Sequence, residues 1–154
     1  MVFALSANDI AAGAAIPPRF TCQGEDISPS LAWSGVPDQT KSFVLIVEDP
    51  DAPSGLFTHW VIFNIPPGLR SLREGASPHG QLPSGSSEGK NDMGKLGYSG
   101  PCPPSGKPHH YHFKLYALCD NLSLKSGANR AQVLAAIKGL TLGETELVAI
   151  YQRA

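Results

Sequence analysis

Residues 48 to 64 read Glu48-Asp49-Pro50-Asp51-Ala52-Pro53-Ser54-Gly55-Leu56-Phe57-Thr58-His59-Trp60-Val61-Ile62-Phe63-Asn64. The apolar run Phe43-Val44-Leu45-Ile46-Val47 leads into this stretch, and Trp60 to Ile65 leaves it. Both runs are short, rich in β-branched and aromatic residues, and apolar on both faces apart from Asn64. That is the pattern of strands covered on two sides. Between them Pro50 and Pro53 lack a backbone N–H, so strand pairing stops and the chain turns. Asp49 and Asp51 thus sit on a stiff elbow at the rim of two apolar strands, with His59 where the second strand begins. Charged groups in such a place are costly without partners or a task. The two-residue period predicts His59, Val61, Phe63 and Ile65 on one face.

A second proline- and glycine-stiffened loop, Gly97 to Pro108, runs into His109-His110-Tyr111 and a strand reaching Leu118. Tyr111, Phe113, Leu115 and Ala117 are in step with His109, whereas His110, His112 and Lys114 face the other way. Phe3 and Leu5 predict a short first strand, Leu31-Ala32-Trp33 a second with Trp33 as a core anchor, and Glu146 to Gln152 the last. One helix is predicted between Asn129 and Gly139. Asn129 is its N-cap and Gln132 completes a capping box. Val133, Leu134 and Ile137 form its apolar stripe, and Gly139 is a left-handed stop. Residues 66–108 show no convincing apolar period, and Ser77 to Gly89, rich in Gly, Ser and Pro, is expected to be mobile. Strands dominate, and one short helix cannot cover a parallel sheet. The expected fold is therefore mainly β and antiparallel, in a single domain spanning residues 1–154.

Composition narrows the function classes. With 42% hydrophobic and 16% charged residues the chain can bury a core and is not disordered. Net charge is −1 and no block of Lys or Arg occurs, so nucleic acid is not an expected partner. No apolar stretch approaches the ~18 residues of a membrane span. The start, Met-Val-Phe-Ala-Leu-Ser, lacks the basic and apolar regions of a signal peptide, so a cytoplasmic location is expected. Cys22, Cys102 and Cys119 are an odd set without a Cys-x-x-Cys pair, and in a reducing compartment they are expected as free thiols. A Cys22–Cys102 contact is allowed, since both lie in loop motifs, but spacing alone does not show that they meet. At ~5–6% per X–Pro bond, the prolines predict roughly one cis peptide. It is expected beside the Asp-Pro elbow or between residues 101 and 108.

Four motifs in order, Asp49-Pro50-Asp51-Ala52-Pro53, His59-Trp60, Gly97-Tyr98-Ser99-Gly100-Pro101-Cys102-Pro103-Pro104 and His109-His110-Tyr111, follow Thr21-Cys22-Gln23-Gly24-Glu25-Asp26-Ile27-Ser28-Pro29. Together they resemble the phosphatidylethanolamine-binding protein family, also called Raf kinase inhibitor protein-like, in its bacterial and archaeal branch. The resemblance extends from about Ile16 to Arg153. It implies a large antiparallel sheet packed with a smaller sheet and peripheral helices. It further implies one small pocket, lined by Asp49, His59, Gly100, Pro101, His109 and Tyr111, that takes phosphate-like groups of phospholipids and nucleotides. Asp51 and Pro53 would support that pocket. The residue types agree, since histidines, a phenol and loop N–H groups hold small anions by charge-assisted hydrogen bonds. Asp49 would fix a histidine's tautomer instead of touching the anion. Two positions depart from the family. His110 stands where an arginine is usual, which removes a permanent charge. Leu140 stands where many prokaryotic members carry a histidine.

The leading expectation is a binding protein for a small phosphorylated or carboxylated molecule, needing no cofactor and no metal. The alternative is an inhibitor of a protein kinase or serine protease acting through the pocket rim. A hydrolase comes third, with Cys102 and His109, or Ser99, His59 and Asp49, as nucleophile sets but no Gly-x-Ser-x-Gly elbow. Zinc on His110, His112 and His79 or an Asp is the other use for the histidines. A homodimer is compatible with all of these. Of the two elbow carboxylates, Asp51 is expected to carry folding and Asp49 binding.

Overall fold

A strand that is apolar on both faces must be central, and residues Ser42–Asp49 are buried along their whole length. The structure, a computed structural model, describes residues 2–153; the end residues 1 and 154 of the expected domain lie outside the described range. In chain order the strands are β1 (Ala4–Ala7), β2 (Leu31–Ser34), β3 (Ser42–Asp49), β4 (Phe57–Ile65), β5 (Ser71–Leu72), β6 (Ser87–Glu88), β7 (His109–Leu118) and β8 (Thr141–Tyr151). The helix α1 spans Arg130–Ile137. The large sheet runs β6-β4-β3-β7-β8, the small one β1-β2-β5, and every pairing between these strands is antiparallel. The expected architecture is the one observed.

The two faces of β3 build two cores. Phe43, Leu45 and Val47 pack with Leu5, Leu31, Trp33 and Leu72 of the small sheet. Val44 and Ile46 pack with Leu118, Leu122 and with Val133 and Ile137 of α1. Trp33 anchors the first core as expected, with its ring centroid 5.4 Å from that of Phe43 in an edge-on arrangement and its Nε1–H on the Leu69 carbonyl. Each such side chain contributes on the order of 1.5–3 kcal/mol when fully buried. The helix forms where its signals lie. Asn129 accepts from the Gln132 N–H, and Gln132 accepts from the Asn129 N–H. Gly139 takes a φ of +79° just beyond the helix end. Among the described residues no helix is long and apolar enough to cross a membrane.

Three expectations need correction. First, β4 does not keep a strict alternation. It carries one extra residue opposite the Phe43–Leu45 segment and another opposite Val47–Glu48. These bulges reset the side-chain phase. Trp60, Ile62 and Ile65 join the first core, Val61 and Phe63 the second. His59 therefore does not share a face with Val61 and Phe63. Second, residues 77–89 are not loose at either end. Ser77 is fully buried; its N–H donates to Ser28 Oγ, and its hydroxyl donates to Glu88 Oε2 while accepting from the Tyr98 N–H. Glu88 Oε2 also accepts from Trp60 Nε1 at 2.7 Å. Polar side chains fix this segment, which is why no apolar period announced it. Third, the cis peptide is Ser77–Pro78, in neither expected place.

Asn64, at the first bulge, is left-handed with φ +56°, and its amide bonds both the N–H and the carbonyl of Leu122. Asn64→Ala loses both bonds and places a Cβ-bearing residue without local compensation in the left-handed region. The expected destabilisation is about 2–3 kcal/mol. Asn64→Gly, which relieves only the backbone, is expected to cost less. Urea denaturation of both variants measures the difference.

Candidate functional site

The end of β3 and the starts of β4 and β7 are neighbours at one edge of the large sheet, so Asp49, Phe57, His59, His109 and Tyr111 converge there. Loop residues complete a cavity of about 420 Å³: Asp26, Pro53, Met93, Lys95, Ser99 and Gly100 among them. The buried lining residues include the polar Asp49, His59, His109 and Tyr111, whereas the exposed Pro53, Met93 and Pro104 give the rim an apolar character, with Phe57 and Pro103 further in.

Each histidine is held by one nitrogen. His59 Nδ1 lies 2.7 Å from the Ser99 carbonyl, which only accepts, so Nδ1 carries the hydrogen. His109 Nδ1 lies 2.7 Å from Asp49 Oδ2, while Asp49 Oδ1 accepts from the Asp51 N–H at 2.7 Å. Both Asp49 oxygens are thus spent on protein. Its part is to position His109, as the sequence suggested. The Tyr111 ring packs against both, with centroids 5.3 Å from His59 and 6.4 Å from His109. Three polar atoms are left with no partner among the described residues: His59 Nε2, His109 Nε2 and the Tyr111 hydroxyl. Among the described residues no buried side-chain nitrogen or oxygen is orphaned, so these atoms open on the cavity instead of being sealed in the core.

Burial sets the charge of this floor. It lowers the His59 pKa from its ordinary 6.5, against the Ser99 carbonyl and the carboxylates of Asp49, Asp26 and Asp92, which raise it. His59 is therefore mainly neutral at neutral pH, with Nε2 an acceptor. Burial, with Asp49 and Asp51 nearby, pushes the Tyr111 phenol far above its ordinary range, so it stays a hydroxyl donor.

The loop N–H groups expected to hold an anion are not available. The Gly100 N–H donates to Asp26 Oδ1 at 2.7 Å, and Pro101 has no N–H. Pro101 does not line the cavity; its carbonyl accepts from the Cys22 N–H. Gly100 contributes close approach instead, since a Cβ there would meet the Phe20 carbonyl oxygen at 2.2 Å. Asp26 stands at φ +58° to reach it. Nothing in the sequence reading singled out Asp26 for the site. Its signal was the turn-forming Gly24-Glu25-Asp26 run, where Asp tolerates the left-handed region. Tyr98 ties the same wall to Phe20 through its hydroxyl.

Cys22 and Cys102 are joined in a disulfide, with Cα atoms 5.4 Å apart, and both line the cavity. This corrects the expectation of three free thiols; Cys119 alone is free. The bridge also removes Cys102 as a thiolate nucleophile. The Ser99 set does not assemble either. Its hydroxyl accepts from Asn91 Nδ2, His59 meets its carbonyl, and Asp49 serves His109. His110 and His112 bond separate carboxylates, Asp51 and Glu146, and no metal-binding group of three or more His, Cys, Asp or Glu occurs among the described residues.

A two-sheet antiparallel protein with an Asp-positioned His/Tyr pocket at its strand ends is the class that fold and site define. The profile of the family described as phosphatidylethanolamine-binding protein matches residues 6–152, and the chain belongs to that family. It is 56% identical over 138 residues to a UPF0098 protein of Methanothermobacter thermautotrophicus, covering 90% of this chain and 91% of that one. The crystal structure of Escherichia coli YbcL, described as a member of the mammalian family, superposes with TM-score 0.93 at 37% identity over 99% of both chains. That of the Chlamydia trachomatis homologue CT736 superposes with TM-score 0.89 at 38% identity, covering 99% and 98%.

The two elbow carboxylates exchange their expected weights. Asp51 ties the elbow to β7 by accepting from the His110 N–H and Nδ1, but its side chain is 42% exposed. Asp49 is buried, and removing it strands two donors. Asp49→Ala is expected to lose about 1–3 kcal/mol of stability or more, and Asp51→Ala under about 1 kcal/mol. Paired thermal melts test the ranking.

Proposed function

We propose that this protein binds a small anionic molecule in the Asp49/His59/His109/Tyr111 pocket. The observation that carries the reading is the trio of unpartnered polar atoms on the floor of one cavity. Buried-side polar groups without protein partners need ligand or solvent partners. Here the trio comprises a constant donor, Tyr111, and two imidazole nitrogens that donate once protonated. Lining the floor with side chains instead of loop N–H groups makes anion binding depend on protonation. The alternative, inhibition of a kinase or serine protease through the rim, draws on kinship and on the apolar mouth, without a feature that selects a protein partner.

The Cys22–Cys102 bridge bears on location. Such bridges persist in oxidising compartments and in some hyperthermophile cytoplasms. It therefore weighs against a reducing cytoplasm as the working environment.

The pH dependence follows from His59. An anion beside Nε2 favours the imidazolium, so binding takes up a proton and affinity rises as pH falls. Because the free pKa is below its ordinary value, the rise is expected mainly below about pH 6.5. A carboxylate probe keeps its charge there, so the trend isolates the histidine. Titrating acetate at about pH 7.5 and 5.5 while following the imidazole NMR signals tests this. The expected result is movement of His59 and His109 with tighter binding at the lower pH. Unmoved signals for both at millimolar ligand would sink the pocket reading.

A further inference from the structure

Around the cavity the charges are unbalanced in a way that bears on ligand class. Two carboxylates line it, Asp26 and Asp49, and among the lining residues Lys95 is the one Lys or Arg. His110, at the position of the family's usual arginine, bonds Asp51 and is not among the lining residues. Lys95 has no ion pair or side-chain hydrogen bond among the described residues.

Lys95 is also not loosely placed. Asn91, 3% exposed, holds the tight turn that carries it. Asn91 Oδ1 accepts from the N–H groups of Met93 and Lys95, its N–H donates to the Lys95 carbonyl, and Nδ2 donates to the Gly97 carbonyl and Ser99 Oγ. Asp92 fastens the same turn to β4 through the Thr58 N–H and carbonyl. This buried scaffold presents two side chains at the mouth: Lys95, and Met93, which is 57% exposed. A large apolar side chain carried on an anchored turn, lining the same cavity as Phe57 and Pro103, offers contact that a bare inorganic ion cannot use.

We propose that the Met93–Lys95 turn selects the ligand, and that the pocket prefers a singly charged organic anion bearing an apolar group over doubly charged phosphate. This rests on the pocket reading and deepens it. Lys95 supplies one positive charge to meet one negative charge on the ligand. A second negative charge on the ligand would face Asp26 and Asp49 with no further permanent cation. The apolar substituent then lies along Met93, Phe57 and the prolines. A carboxylate and a phosphodiester share this chemistry, and the probes below separate them.

Binding of four probes is measured by NMR titration of the oxidised full chain at about pH 7.5, where inorganic phosphate is mostly doubly charged. Benzoate and diethyl phosphate are singly charged with apolar groups, acetate is singly charged without one, and phosphate is the dianion. The expected order is benzoate or diethyl phosphate about tenfold tighter than acetate and phosphate, the size of one charge-assisted or packing contact. Lys95→Gln is expected to weaken both organic probes about tenfold and flatten their salt dependence, with Lys95→Arg restoring both. Met93→Ala is expected to weaken benzoate and leave acetate unchanged. Unperturbed amide spectra of the unliganded variants establish that they fold. Phosphate binding as tightly as benzoate, or Lys95→Gln binding like the parent, overturns the proposal while leaving the pocket intact. No binding of any probe at about pH 7.5 or at about pH 5.5, where the protonated histidines favour an anion, removes the pocket reading and the proposal together.

Discussion

Asp49 is the constraint on which the site depends. It ends β3, the strand both cores are built on, and its two oxygens leave in different directions. One holds the first N–H of the elbow, the other the ring of His109 at the start of β7. A single buried carboxylate thus joins the loop after one strand to the first residue of its neighbour. The cost of burying this polar group is offset by two hydrogen bonds from donors that would otherwise lack partners. The tautomer of His109, and with it the nitrogen offered to the cavity, follows from this one contact.

Much of this was legible. Phe43 to Val47 declared a central strand because no face was polar, and the two proline-broken loops declared where strands stop. Asn129 and Gln132 marked the helix start by side-chain chemistry alone. The site was legible in its strand-borne members, Asp49, His59, His109 and Tyr111, because each stands at the beginning or end of an apolar run. Its loop-borne members were less so. Asp26, Met93 and Lys95 reach the cavity through turns whose course is set by Asn91, Asp92 and Ser77. Hydrogen bonds between residues far apart in sequence leave no period to read.

His59 shows how the two kinds of information interact. Alternation put it on the face of Val61 and Phe63. The bulge opposite Val47–Glu48 inserts one residue and turns it toward Tyr111 instead. Without that insertion its imidazole would be directed at the helix side of the sheet, and the floor of the cavity would have one histidine. Bulges at sheet ends beside binding sites serve this purpose of re-aiming a side chain. No residue type in the stretch announces it, since bulge residues of this kind need no glycine.

The Cys22–Cys102 bridge closes a covalent ring whose ends are 80 positions apart in sequence, and the ring contains β2 to β6. β1, β7, α1 and β8 hang outside it. The large sheet is therefore stitched together across the β3–β7 seam from a ringed part and an open part, joined there by hydrogen bonds, packing and the ion pairs of Glu48 with Lys114 and Arg130. A protease that nicks the exposed Gly80–Gln81 peptide opens the ring without releasing a piece, and the two segments part only after reduction. A nick beyond residue 102 severs the tail carrying β7, α1 and β8 from the covalent frame at once. On a non-reducing denaturing gel a single cut thus appears as one band when it falls inside the ring and as two when it falls outside it.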